Sequence, residues 1–133
     1  MVGKYRSAGT YTMYSYDEEV LRSPAVSGAG NIRSYTLPSG NYSVIAINNR
    51  AETKFTRKGV GWTANLSSDP FYDEYAGRNR QYIRIHPARN LGTEGCIGLT
   101  SNNPFVLRRA RDLIRNTLDL KGNIPLNVII SGR

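Results

Sequence analysis

A single cysteine excludes an internal disulfide, so packing alone must hold the fold, and cysteine usage says nothing of the compartment. One cysteine and one histidine also fall short of the three or four ligands that zinc takes, and no carboxylate cluster flanks them. Neither a metal nor a cofactor is expected. No apolar run approaches the roughly 18 residues of a membrane span, and Met1 to Ser7 lacks the apolar stretch of a secretory signal. The chain is therefore expected to be made without a signal peptide and to have no membrane span.

Acidic residues are scarce, with 10 Asp and Glu against 18 Lys and Arg, which gives a net charge of +8. A basic surface with nine Tyr would suit single-stranded nucleic acid, through phosphate contacts and base stacking. Yet the basic residues are spread from Lys4 to Arg133, and no aromatic-basic module is present. Nucleic acid is not expected as a partner, and the same charge would steer the protein toward any anionic surface. Hydrophobic content of 39% with 21% charged residues is ordinary for a globular chain. At 133 residues the chain fits a single domain, 1–133, that buries about two thirds of its unfolded surface.

The segments Val20-Leu21, Tyr42 to Ile47, Tyr82 to Ile85 and Leu126 to Ile130 are rich in β-branched and aromatic residues and bounded by Gly, Pro or Asn. They read as strands, and Tyr5 to Tyr16 adds one or two edge strands. Residues 104–120 follow a helical period instead, with Leu107, Ala110, Arg111, Ile114 and Leu118 on one face. Asn103 suits the N-cap, Pro104 the first turn and Gly122 the C-terminal end. Arg108, Arg109 and Arg115 read as its solvated face. The stretches 48–61 and 65–79 read as long polar loops, with Trp62 between them and Phe71, Tyr72 and Tyr75 in the second. Packing statistics favour such aromatics as a plug over the core rather than as a binding wall.

The one histidine and the one cysteine stand ten residues apart, as His86 and Cys96. An isolated thiol is only a few per cent thiolate at neutral pH, so a reactive one has a base or a helix N-terminus beside it. Here the base is near in sequence, and Gly92, Gly95 and Gly98 surround the thiol with backbone free of Cβ, as an oxyanion site requires. A buried space-filling cysteine and a hydrogen-bonded structural histidine are the plain alternatives.

The block His86-Pro87 followed by Gly92-Thr93-Glu94-Gly95-Cys96-Ile97-Gly98 resembles the signature of the L,D-transpeptidase (YkuD-like) catalytic domain. With ten residues from His to Cys it is most similar to the small branch that includes effectors delivered by type VI secretion. Weaker likenesses are Pro24 to Gly28, Leu37 to Tyr42, and the helix and closing strand at 104–120 and 124–130, so the resemblance covers about 10–131. It implies an α+β fold, mainly β with one substantial helix, a sandwich or barrel with the Cys-His site on a loop at the sheet edge. Papain-like peptidases place the Cys before the His, and sortases place the His far upstream, so the order here favours this family.

The resemblance implies a peptidoglycan-modifying acyltransferase. Cys96 would attack the carbonyl of the third residue of a tetrapeptide stem and release D-Ala, with His86 as base and a backbone carbonyl near Pro87 orienting the imidazole. Backbone N–H groups around Glu94, Gly95 and Cys96, preceded by Thr93, would hold the oxyanion. Two departures stand out: the commoner branch has His where this chain has Glu94, and Arg where it has Gly98. Arg84 and Arg89, flanking the His, are candidates to take up substrate binding, against the plain reading of surface arginines. Peptidoglycan stem peptides, secretion machinery and an immunity protein are the partners implied, with action in the periplasm or wall of a target bacterium. A thiol peptidase or amidase with another substrate and a basic binding module without activity remain the alternatives.

Overall fold

The computed structural model of the chain describes residues 7–28, 37, 39–67, 71–73, 78–80, 83–89 and 96–129. Among them, in chain order, come β1 (Ser7–Ser15), β2 (Glu18–Ser27), β3 (Gly40–Asn49), a 3₁₀ turn (Thr53–Phe55), β4 (Thr56–Arg57), β5 (Val60–Leu66), β6 (Phe71–Asp73), β7 (Arg78–Arg80), β8 (Arg84–Pro87), β9 (Ile97–Leu99), α1 (Pro104–Lys121) and β10 (Ile124–Val128). The fold is mainly β with one substantial helix, as expected.

Eight strands share one sheet, in the order β1-β2-β9-β8-β5-β3-β10 with β4 paired to β5, while β6 and β7 form a separate ribbon. The two ends of that order meet: Tyr11 of β1 and Leu126 of β10 line one cavity, so the sheet is curled into a half-barrel. Inside the curl, Val44, Trp62, Ala64, Ile85 and Leu99 pack with Leu107, Ala110 and Ile114 of α1. Helix α1 has the expected ends. The Asn103 side chain accepts from the Phe105 N–H at 3.0 Å, and Gly122, at φ 80°, closes it with its N–H on the Leu118 carbonyl at 2.8 Å. Part of the basic face is tied down, since Arg115 donates to the Asn49 side chain and Arg108 stacks over Phe105.

The loop reading of 48–61 and 65–79 is corrected here. Residues 60–66 are β5, next to β8 in the sheet, and Trp62 is a fully buried core residue whose Nε1–H donates to the Leu107 carbonyl at 3.1 Å. Gly61, Thr63 and Asn65 interrupt the apolar run and hide the strand, although Val60, Trp62, Ala64 and Leu66 are buried at the period of two that a strand imposes. Phe71 and Tyr72 belong to β6, and Tyr75 lies outside the described residues. The short Val20-Leu21 strand extends to the ten residues of β2.

Chain 53–61 folds back over the outer side of this sheet. Lys58 and Gly59, with φ of 51° and 78°, form the two-residue turn between β4 and β5 that two successive left-handed residues favour. A Cβ on Gly61 would fall on the Arg50 carbonyl oxygen and the Thr56 hydroxyl, and the Gly61 carbonyl accepts from the Arg50 N–H at 3.0 Å. Backbone cannot yield there as a flexible side chain would. Gly61→Ala is therefore expected to destabilise the fold by about 1–3 kcal/mol, read from urea denaturation.

Candidate active site

Strands β8 and β9 are the one parallel pair of the described sheet, with Ile85 opposite Ile97, His86 opposite Gly98 and Pro87 opposite Leu99. Ile85, Pro87 and Leu99 are turned into the core. Because side chains alternate, Arg84 and His86 emerge on the other face, where Gly98 puts no side chain next to the imidazole. Cys96 stands two residues before Gly98. It directly precedes β9 and is almost closed to solvent. His86 stands within β8 and Cys96 directly precedes β9, and both strands lie in the interior of the sheet, which corrects the expected place on a loop at the sheet edge.

The imidazole is held in one orientation. Its Nδ1 lies 2.7 Å from the Pro87 carbonyl oxygen. A carbonyl only accepts, so Nδ1 carries the hydrogen and Nε2 keeps the lone pair. The Phe55 ring meets the imidazole edge-on, with centroids 5.0 Å apart at 72°. Lys54 and Arg84 approach that same ring, with Nζ 5.0 Å and Cζ 5.7 Å from its centroid.

This setting lowers the His86 pKa. Burial is the main cause, Arg84 and Lys54 push the same way by like charge, and the Pro87 carbonyl opposes them by favouring N–H. At neutral pH the ring is thus a neutral proton acceptor. The same shift ties stability to pH: below the ordinary value near 6.5 the unfolded chain takes up a proton that the folded chain refuses, so stability falls as pH drops through that range. Thermal melts from pH 7 to 5 are expected to fall more steeply for the wild type than for His86→Gln, and NMR titration of this sole imidazole gives the midpoint directly.

Of the residues singled out in the sequence, Arg84, His86 and Pro87 lie on β8 and Cys96 directly precedes the neighbouring β9, while Arg89 is exposed. Thr93, Glu94 and Gly95 lie outside the described residues. Lys54, Phe55 and Arg57 were not legible as site residues. They reach the site from a segment some thirty residues upstream, and only the fold brings that segment over β8. The one available signal was the buried-type Phe55 between two basic residues in an otherwise polar stretch.

An imidazole on β8 and a thiol directly before the parallel strand β9 are the groups of a thiol-dependent acyl-transfer site, and comparison with protein families gives the class. The model of the L,D-transpeptidase catalytic domain, YkuD, matches residues 5–113, which include β1 to β9 and the first half of α1. The chain belongs to this family. L,D-transpeptidase-type modification of peptidoglycan is the general activity that membership supports. The curated proteins and the solved structures give no match to the chain.

Proposed function

We propose that the protein is a peptidoglycan-modifying cysteine acyltransferase acting on tetrapeptide stems. The observation that carries this reading is the fixed tautomer of His86, whose Nδ1–H is held by Pro87 and whose Nε2 is left to accept a proton, on the strand paired with the one that Cys96 directly precedes. His86 takes the thiol proton and the Cys96 sulfur attacks the carbonyl of the third stem residue. As the tetrahedral intermediate collapses, the bond to D-Ala breaks, and His86 returns the proton to the departing amine. The thioester is then resolved by water, for L,D-carboxypeptidase activity, or by an amine, for transpeptidation or D-amino-acid exchange.

Backbone N–H groups at 94–96 hold the oxyanion in this scheme, each such donor being worth roughly 3 kcal/mol. Arg84, beside His86 and the Phe55 ring, is the better placed of the two flanking arginines to meet a substrate carboxylate. The ten-residue spacing of His and Cys supports placing the protein with the effector-type branch, acting on the wall of a target bacterium. The test is mass spectrometry of purified tetrapeptide fragments incubated with the protein, with and without an added D-amino acid. Loss of the terminal D-Ala identifies water as acceptor, exchange identifies the amine, and unchanged fragments would sink the reading.

A further inference from the structure

Arg57 directs all three of its guanidinium nitrogens to residues just beyond β8, which carries His86, and β9, which Cys96 directly precedes. Its Nε donates to the Ser101 carbonyl at 2.8 Å, Nη1 to the Ala88 carbonyl at 3.1 Å, and Nη2 to the Asn102 side chain. Ala88 directly follows β8, and Ser101 lies two residues beyond β9. Because these strands are parallel, both exits lie at the same end of the sheet, and one planar fork from β4 spans them.

What lies between those anchors is the peptide unit that controls the imidazole. The Pro87–Ala88 peptide presents its carbonyl to His86 Nδ1 at 2.7 Å and its N–H to the Leu99 carbonyl at 2.9 Å. A rigid trans peptide transmits the position of one end to the other. The orientation of His86 is thus set by β9 through a single peptide, and the next carbonyl along the chain is the one that Arg57 grips. We infer that Arg57 is a positioning residue, which locks the Pro87–Ala88 peptide between β8 and β9 and so holds the His86 tautomer and its approach to Cys96. The assignment of a chemical role to that approach rests on the proposed function; the coupling of Arg57 to the tautomer does not.

The sole histidine makes the coupling measurable without substrate. Long-range ¹H–¹⁵N NMR of the imidazole in the intact protein is expected to show the Nδ1–H form in the wild type and a mixture of both tautomers in Arg57→Gln. On stem peptides the same variant is expected to lose roughly tenfold to a hundredfold in kcat with KM little changed, the signature of misplaced groups rather than lost binding. Arg57→Lys keeps the charge but not the fork, so its tautomer ratio and kcat should fall between the two. A folded Arg57→Gln with the wild-type tautomer overturns the inference whatever its rate. Should Arg57→Gln fail to fold, Arg57→Lys decides, and wild-type tautomer and kcat in that variant overturn it equally. Activity retained by Cys96→Ala would sink the acyltransferase reading instead, and leaves the tautomer result standing.

Discussion

Cys96→Ala is expected to bring D-Ala release from tetrapeptide stems below detection while the protein still folds. The reasons lie on different levels. Chemically, the chain has one thiol, so no second cysteine can substitute as nucleophile. Structurally, Cys96 directly precedes the three-residue strand β9, which is anchored by pairing with β8 and with β2. Losing one buried sulfur atom should cost about 1 kcal/mol, a modest change among point substitutions. The helix and sheet signals in circular dichroism should therefore match the wild type. The same singularity gives a second handle, since one equivalent of a thiol alkylating reagent should abolish activity in step with labelling. Wild-type turnover by the folded Cys96→Ala protein would remove the thiol from the mechanism.

The parts of this molecule that could be read in its sequence are those fixed by local rules. Helix α1 announced itself through the Asn103 cap, Pro104, the Leu107, Ala110 and Ile114 face and Gly122, each a short-range signal. Strand β3 was visible in Tyr42 to Ile47 for the same reason. Strand β5 was not, because its outward positions Gly61 and Asn65 look like loop, and its inward Trp62 declares itself only once a helix lies beneath it. The length of β2 and the existence of β9 depend on pairing, β9 being three residues that include a glycine.

The site divides along the same line. His86 and Cys96 were legible because each is the only residue of its type and they stand close in a glycine-rich stretch. Phe55 and Arg57 act across the fold, and a single sequence contains no sign of pairing between residue 57 and residues 88 and 101. Their roles come from hydrogen bonds and ring contacts alone.

Replacing His86 should have the second-largest effect, and its pH dependence says more than its size. His86→Gln is expected to lower kcat by roughly 10²- to 10⁴-fold, the usual yield of a general base, and its polar head leaves less of a hole beside Phe55 than alanine would. In the wild type only the unprotonated imidazole can take the Cys96 proton, so activity rises as pH climbs through the His86 pKa. Burial and the charges of Arg84 and Lys54 hold that value below its ordinary position, against the pull of the Pro87 carbonyl. The acid limb of the rate profile is accordingly expected below pH 6.5, with a plateau at neutral pH, and the limb should vanish in His86→Gln. If the limb were instead centred above 6.5, attraction between thiolate and imidazolium would outweigh burial, and the reaction would begin from a preformed ion pair rather than from a neutral thiol and a neutral base.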